Sequence, residues 1–287
     1  MVMISDSHYD HGEYGMGMER NYSISDRVEC DYCRNKIDFS INVSEYPEGS
    51  FDSYNIQING GHFIVEPEVE IYGEQCPWQN ANLLSRLKGR QITSVYHFTR
   101  AENLLNILRL GIIPRSILEQ EFINSLFNDE WRYDNCKNAN CVSISFPNYK
   151  MFYKLRCDNL EADWVVIELD SKILANSDCA FCITNAGDSS EYTKTIASRK
   201  GIEAFDAMFC DNSGNDIRMK ASIPLCYPTN PQAEVLVFDI IAPSYIKSIN
   251  FDSYKTLAKY KSLLPNDMNI KVNHVLFGPR RDYNFWS

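Results

Sequence analysis

The segment that most constrains the fold is residues 94–115, SVYHFTRAENLLNILRLGIIPR, in which a strand pattern runs directly into a helix pattern. Its first five residues are rich in β-branched and aromatic side chains, which favours a short strand. Thr99 and Glu102 have the spacing of a capping box, in which each side chain accepts a hydrogen bond from the backbone N–H of the other residue. Leucine and isoleucine side chains then follow at helical spacing, and Gly111 and Pro114 predict the end of the helix.

His97 is the first candidate for a functional side chain. It lies near the end of the predicted strand, shortly before the predicted helix N-terminus, where backbone N–H groups have no helical partner. That position suits a ligand that carries a ribose and phosphate groups. The alternative is a strand-end histidine that only hydrogen-bonds a neighbouring carbonyl, and this segment alone leaves both interpretations open.

Length and composition bound the class of protein. A chain of 287 residues can bury a sizeable core, as one large domain or as two smaller ones. No run of apolar residues approaches the roughly 18 that span a membrane, and the polar N-terminal residues lack the pattern of a signal peptide. We therefore expect a cytoplasmic protein without a membrane partner, whose 10 cysteines are mostly reduced.

The formal net charge of −10 is unevenly distributed. Residues 1–90 contain 15 acids and 7 bases, whereas residues 91–287 contain 23 acids and 21 bases. Tight, non-specific binding of nucleic acid comes largely from basic side chains that neutralise phosphates, and neither region has such an excess. A nucleic-acid substrate would therefore be bound locally, by a few basic and aromatic side chains.

The first part of the chain predicts a separate, small, acidic and β-rich domain over residues 1–88. Residues 1–26 have no periodicity and predict a loop, while short alternating stretches between residues 38 and 72 indicate strands. Residues 79–90 predict a polar, weakly helical connector between domains. We place the domain boundary near residue 88, so that the second domain covers residues 89–287.

Cysteines in the first domain indicate a metal site. Cys30 and Cys33 form a C-x-x-C pair of the type that binds zinc. His62 and Cys76 would have to complete the site, at irregular spacing. The alternatives are a zinc site made of these four residues and a degenerate ribbon that its β core alone stabilises.

Beyond residue 88, strands outnumber helices and do not alternate strictly with them. This pattern favours an α+β fold over a doubly wound parallel sheet. Further strands are predicted over residues 142–146, 164–169, 234–241, 246–250 and 270–277, and helices over residues 117–128, 149–155 and 254–264.

Five motifs in this region carry a resemblance to a known family. Residues 96–99, YHFT, and the N-L-x-x-I-L-x-x-G-I-x-P-R pattern that follows resemble the opening motif of the DarT-like ADP-ribosyltransferases, bacterial toxins that use NAD to modify nucleic-acid bases. The resemblance covers about residues 91–250 and implies the ADP-ribosyltransferase fold, with two packed, mainly antiparallel sheets and a NAD cleft. The other motifs are WRYD (131–134), VSISFPNYKMFY (142–153), CAFCITNA (179–186) and NPQAEVLVFDIIA (230–242).

The resemblance implies two catalytic side chains. Glu234, in the context AEVLV, matches the family's catalytic glutamate, which stabilises the positive charge that develops on ribose as nicotinamide leaves. From position alone, Glu234 is equally a surface charge that begins a strand. Arg132, in WRYD, resembles the family's arginine that contacts the cofactor and helps to position the incoming base. Arg115 is the rival for this role, and a solvated, salt-bridged arginine is the alternative for both.

The resemblance also implies a set of cofactor-binding residues. His97 and Thr99 would contact the ribose, and Arg115 a phosphate. Tyr149 and Phe152 lie three positions apart on one helical face and would form an aromatic wall for nicotinamide, although core packing is the alternative for such a pair. Asn148 and the turn at residues 185–187 would flank the same cofactor.

The leading hypothesis is a NAD-dependent mono-ADP-ribosyltransferase that modifies a base in single-stranded DNA or RNA, because an unpaired base exposes its ring nitrogens. Family membership implies a toxin–antitoxin or anti-phage role, with an antitoxin protein as partner. Protein ADP-ribosylation or NAD hydrolysis is one alternative. Another is a binding module that has kept the fold and lost catalysis.

Overall fold

The computed structural model describes residues 11–14, 17–29, 34–45, 51–61, 81–123, 125–126, 136–211 and 216–286. Contacts between residues divide the chain into two compact units, Met1–Pro77 and Trp78–Ser287. In the part of the chain that is described, no helix is long and apolar enough to cross a membrane.

The described part of the N-terminal unit is one antiparallel, four-stranded sheet. Its strands are β1 (His11–Tyr14), β2 (Gly17–Glu29), β3 (Lys36–Glu45) and β4 (Phe51–Asn59), each paired with the next. β2 pairs with β3 from Arg20 opposite Glu45 to Glu29 opposite Lys36. The loop predicted up to residue 26 was therefore wrong for the described residues, because pairing with β3, rather than a local pattern, places this segment in the sheet.

The predicted zinc ligands Cys30, Cys33, His62 and Cys76 lie outside the described residues, as does the strand expected over residues 62–72. The zinc site thus stays a prediction. Among the described residues, no group of three or more His, Cys, Asp or Glu side chains is arranged to hold a metal ion.

The described residues of the C-terminal unit form seven short strands and nine short α-helices, which do not alternate strictly. The prediction that strands outnumber helices was therefore wrong. The strands of this unit are β5 (Ser94–Arg100), β6 (Asn140–Ile144), β7 (Trp164–Asp170), β8 (Cys179–Cys182), β9 (Glu234–Val237), β10 (Ile246–Phe251) and β11 (Ile270–Val272). Its α-helices are α1 (Ala81–Gly89), α2 (Leu104–Leu110), α3 (Arg115–Gln120), α4 (Tyr149–Asp158), α5 (Ile173–Asn176), α6 (Ser189–Tyr192), α7 (Gly201–Ala207), α8 (Ile217–Lys220) and α9 (Tyr254–Tyr260). Short 3-10 helices cover Ala101–Asn103, Ala197–Arg199, Pro243–Tyr245, Lys261–Leu263, His274–Phe277 and Tyr283–Phe285.

Several predicted elements end earlier than expected because their pairing partners end. The strands expected over residues 234–241 and 270–277 stop at Val237 and Val272, which are the last residues paired with β8 and β10. The helix expected over residues 117–128 stops at Gln120.

The seven strands lie in the order β11-β10-β7-β5-β6-β9-β8, and every neighbouring pair is antiparallel except β10 with β11. β6 joins two parts of this sheet. Its residues Ser143 and Ile144 pair with β5, whereas its earlier residues, from Asn140 to Val142, pair with β9. The result is a five-stranded and a three-stranded sheet that share β6, which confirms the predicted α+β class with two mainly antiparallel sheets.

Helix α1, expected as a connector between domains, is part of the C-terminal core. Leu83 and Leu87 are each 3% exposed and lie in the same buried cluster as Val95 of β5 and Leu104 of α2. Two apolar side chains one helical turn apart are enough to anchor a short helix on a core. The division between the two compact units accordingly lies before α1.

The predicted capping box at Thr99 and Glu102 was wrong. β5 pairs with β7 along its whole length, so Thr99 stays in the sheet opposite Val165. The following 3-10 helix begins after Arg100 and has no side-chain cap. The Thr99 hydroxyl instead accepts a hydrogen bond from Asn103 Nδ2 at 3.0 Å.

Gly111 ends α2, as predicted. Its φ of +88° is a left-handed value that glycine adopts without strain. A Cβ at this position would lie only 2.3 Å from the backbone oxygen of Ile241. Glycine therefore allows the next residue, Ile112, to form a β-bridge with Ile241.

Candidate active site

A cleft of about 820 Å³ lies where β5 and β6 separate. Its lining comes from β5, α2, α3, β6, α4, the turn at residues 185–187 and the first residue of β9. β5 and β6 pair at only two positions, after which β6 pairs with β9. His97 and Glu234, which are far apart in sequence, both line this cleft.

Glu234 lies in the cleft wall with its carboxylate held by neighbouring N–H groups. The side chain is 4% exposed. Its Oε1 accepts hydrogen bonds from Asn148 Nδ2 at 2.9 Å and Asn185 Nδ2 at 3.2 Å, and its Oε2 accepts one from the Ala186 backbone N–H at 3.0 Å. Three bonds from different directions fix the orientation of the carboxylate plane.

Asn148 connects Glu234 to helix α4. It is the N-cap of this helix, and its Oδ1 accepts a hydrogen bond from the Met151 backbone N–H at 3.2 Å. Its own backbone N–H donates to Ser143 Oγ at 3.1 Å, and the residue is fully buried. Because Oδ1 is committed to the helix, the amide NH₂ faces Glu234.

His97 presents a neutral imidazole to the cleft. Its Nδ1 lies 2.9 Å from the backbone oxygen of Cys141. A carbonyl oxygen only accepts, so Nδ1 carries the proton and Nε2 is left as an acceptor. Burial lowers the pKa of His97 below its ordinary value, against a smaller opposite effect of the Cys141 carbonyl, and so favours this neutral form.

The family model described as "DarT: ssDNA thymidine ADP-ribosyltransferase, DarT" matches residues 96–278, well over half of the chain. The chain belongs to the DarT family. This membership confirms the resemblance on which the predicted fold and enzyme class depend, and the match continues past residue 250 to residue 278. A search of curated proteins finds no match.

Solved structures of DarT proteins are also similar to this chain. Thermosipho africanus DarTG in complex with ADP-ribose is 16% identical over 64% of this chain and 51% of its own, with a TM-score of 0.48. Thermus sp. 2.9 DarT in complex with NAD+ is 14% identical over 66% of this chain and 98% of its own, with a TM-score of 0.43. The same protein in complex with ADP-ribosylated ssDNA is 13% identical over 66% of this chain and 97% of its own, with a TM-score of 0.45. This chain spans about half the length of the Thermosipho relative, and the family assignment rests on the family model.

Thr99 and Arg115 line the same cleft as His97. Thr99 is held by Asn103, whose side chain also bonds both the backbone N–H and the backbone oxygen of Leu126. Arg115 Nε lies 2.6 Å from Glu119 Oε1, and this guanidinium is the main reason that the pKa of Glu119 is below its ordinary value. Both residues thus line the cleft, and their cofactor-binding roles stay predictions.

The other predicted cofactor contacts need correction. Phe152 is 1% exposed and lies in the core, where it stacks on Phe98 with 4.6 Å between ring centroids and meets Trp164 edge-on at 5.6 Å. Tyr149 packs against the same cluster, and neither ring lines the cleft. Asn148 does not line the cleft either, and it contacts Glu234 instead. The core-packing alternative therefore holds for the aromatic pair.

The residues of helix α4 that line the cleft lie on a different face of the helix, which the sequence analysis did not identify. This face consists of Lys150, Met151, Lys154, Leu155 and Asp158. Helical periodicity could have separated it from the aromatic face, but it gives no sign of which face meets a cleft.

Asn185 and Ala186, which were expected only to flank the cofactor, donate hydrogen bonds to the Glu234 carboxylate. Asn185 Oδ1 accepts from the Gly187 backbone N–H at 2.9 Å, which closes a turn and directs Nδ2 towards Glu234. The N-A-G sequence predicts a turn, but not its target. Arg132 lies outside the described residues, and its catalytic role stays a prediction.

The cleft is locally basic in an acidic protein. The described residues that line it include four bases, Arg100, Arg115, Lys150 and Lys154, and two acids, Asp158 and Glu234. With His97 neutral, these side chains carry a net charge of +2, whereas the whole chain carries −10. The charges that line the cleft thus favour an anionic ligand, although the whole chain is acidic.

Proposed function

We propose that this chain transfers ADP-ribose from NAD to a base in single-stranded nucleic acid, with DNA as the acceptor. The observation that carries the proposal is the single cleft that both His97 and Glu234 line, with the Glu234 carboxylate fixed by three hydrogen bonds. The described residues offer no second carboxylate in this cleft that is buried, since Asp158 is exposed.

The chemistry requires a fixed anion beside the ribose. The bond between ribose C1′ and the nicotinamide nitrogen breaks, nicotinamide keeps the electron pair, and positive charge develops on the sugar. Glu234 stabilises that charge, and a bond then forms from C1′ to a base nitrogen, whose proton passes to water. His97 Nε2 accepts a hydrogen bond from a ribose hydroxyl, Thr99 and Arg115 contact the cofactor, and Arg132 acts with Glu234 on the reacting groups.

The choice of DNA over RNA follows the description of the family, in which single-stranded DNA thymidine is the acceptor. The basic cleft in an acidic chain supports local binding of a polyanion at one place. A strand whose bases are unpaired needs no unstacking before a base enters the cleft.

The same proposal includes a biological setting. Such an activity would poison its host, so we propose a cytoplasmic toxin with an antitoxin protein as partner, in toxin–antitoxin or antiviral defence. We further propose a small N-terminal domain, with zinc on Cys30, Cys33, His62 and Cys76, before a catalytic domain that includes α1 and so begins earlier than the predicted residue 89. Metal analysis of protein made in zinc-replete medium tests the zinc site, and less than about a tenth of an equivalent would exclude it.

The decisive experiment incubates the protein with labelled NAD and single-stranded DNA, single-stranded RNA or protein acceptors. We expect label on DNA and a loss of about three orders of magnitude in transfer rate in Glu234→Gln, because that variant removes the anion while keeping the shape of the side chain. Glu203→Gln, an exposed change on α7, is the matched control and should transfer normally.

The alternatives predict other results. Label on RNA alone would change the acceptor, and label on protein alone would indicate a protein ADP-ribosyltransferase. Release of nicotinamide without transfer would indicate a NAD glycohydrolase. Binding of NAD with no turnover would indicate a module that has lost catalysis, and full activity in Glu234→Gln would mean that another residue is the catalytic acid.

A further inference from the structure

Helix α4 directs three charged side chains, each one turn from the next, into the cleft. They are Lys150, Lys154 and Asp158. Lys150 Nζ donates to the backbone oxygen of Trp286, which holds its ammonium near the helix without neutralising it. Lys154 is exposed at the cleft.

Lys154 differs from the six lysines of this acidic protein that form ion pairs among the described residues. The lysines that form ion pairs with acids are Lys137, Lys194, Lys200, Lys247, Lys259 and Lys271. Within the described residues, by contrast, no carboxylate forms an ion pair with Lys154 or Lys150. Of the other two cleft bases, Arg115 is bound to Glu119, whereas Arg100 donates to Asn159 Oδ1 and lies over the Trp164 ring. Among the described cleft bases, the two α4 lysines and Arg100 are thus the cations without an ion-paired acid.

Two uncompensated ammonium groups on one wall of a cleft attract an anion with spaced negative charges. Successive turns of an α-helix are about 5.4 Å apart, which is closer to the phosphate spacing along a nucleic-acid strand than to that of a diphosphate, whose two phosphates share one oxygen. Lysine binds phosphate as a point charge, so it needs no fixed geometry to do so. Asp158, one turn beyond Lys154, opposes such a ligand.

We propose that Lys154, with Lys150, is a phosphate-binding subsite of the cleft. This inference rests on the proposed function and adds a residue-level site to it. The phosphate comes either from the diphosphate of NAD or from the backbone of the acceptor strand, and the two sources are separable by experiment.

The test measures binding rather than turnover. Lys154→Gln is compared with the unaltered protein for affinity to ADP-ribose, which carries the NAD diphosphate, and to a fluorescent single-stranded DNA oligonucleotide. Loss of one phosphate contact should weaken binding of the relevant ligand about 3- to 10-fold at low salt. For the oligonucleotide, it should also reduce the slope of log K against log salt by about 0.7.

Three further variants make the assignment specific. Lys154→Arg keeps the charge and should restore affinity. Asp158→Asn removes the opposing acid and should strengthen binding by a factor of about 2 to 5. Lys255→Gln, an exposed lysine on α9 outside the cleft, makes the same charge change and should leave both affinities unaltered.

The outcomes separate the sources and the hypotheses. An effect on ADP-ribose assigns the subsite to the cofactor. An effect on the oligonucleotide that disappears with a neutral methylphosphonate backbone assigns it to the acceptor. If Lys154→Gln binds both ligands as the unaltered protein does, or if the unaltered protein binds neither, the subsite is excluded. If binding changes as expected but no ADP-ribose is transferred to any acceptor, the proposed function fails and the subsite stands.

Discussion

Helix α4 has two faces with opposite surroundings. One face, with Tyr149 and Phe152, packs into an aromatic cluster that includes Trp164. The other, with Lys150 and Lys154, lines the cleft. At the start of the same helix, Asn148 bonds Glu234. The comparison shows that the apolar face of a helix is buried in the core, and that the residues on its other face remain available to line a cleft.

The largest expected effect would come from the core face. Phe152→Ala should lower the free energy of unfolding by about 3–5 kcal/mol, since it leaves a cavity among Phe98, Trp164 and Phe277. Urea unfolding would measure this change, and the affinity of the folded protein for ADP-ribose should stay within about twofold.

Tyr153→Ala is the control on the same helix, because Tyr153 is 64% exposed, and it should change stability by less than about 0.5 kcal/mol. A large loss of ADP-ribose affinity in Phe152→Ala, at unchanged stability, would mean that Phe152 contacts the ligand. The distinction between a core face and a cleft face of α4 would then be wrong.

The next effect concerns the helix N-terminus. Asn148→Asp keeps a good N-cap, since Asp and Asn cap equally well, but it sets a second carboxyl against Glu234 Oε1. Like charges at this distance raise the pKa of the pair. We expect transfer at pH 7 to fall by about 10- to 100-fold and to recover partly as the pH is lowered, because a shared proton restores the lost hydrogen bond.

The pH profile of the transfer rate, set beside thermal unfolding, distinguishes this positioning role from a structural one. Ser253→Asp makes a comparable change at the N-cap of α9 and should leave the profile unaltered. An Asn148→Asp profile that is uniformly lower but unshifted would argue against an effect through Glu234.

The smallest of these effects lies on the other side of the cleft, at His97. Its pKa in the folded protein is below the ordinary value of about 6.5, so the ring is neutral at pH 7 and its Nε2 accepts. The unfolded chain binds a proton below about pH 6.5 while the folded protein does not, so this histidine lowers stability as the pH falls through that range.

The affinity for ADP-ribose should also decrease as the pH falls. It should be constant above about pH 6.5 and decrease at lower pH, once the His97 ring is protonated. His97→Ala should lower affinity about tenfold at pH 7 and flatten the pH dependence, as calorimetry would measure. A profile that keeps its shape in His97→Ala would assign the titration to another group.

Local signals in the sequence were sufficient for several features of the site. The strand with His97, the end of α2 at Gly111 and the start of a strand at Glu234 are all encoded by consecutive residues. The N-cap role of Asn148 is of this kind too, since asparagine before a helix is a favoured cap. The motif order was enough to identify the family.

Long-range contacts decided the rest. Thr99 stays in the sheet because its strand pairs with β7, about 66 positions further along the chain. This pairing, rather than a local preference, places Thr99 in the strand. Asn148 reaches Glu234 across a sequence separation of 86 residues. Which face of α4 meets the cleft depends on the positions of Phe98, Trp164 and Phe277.

The sequence by itself thus determined the family, the α+β class and the side chains able to carry the chemistry, because these depend on residue types and short spacings. Only the tertiary structure decided that Asn148 supports Glu234 and that lysines rather than aromatic rings line one wall of the cleft. The physical reason is that burial and strand pairing are collective: the free energy of placing one side chain depends on neighbours that the linear order does not bring together.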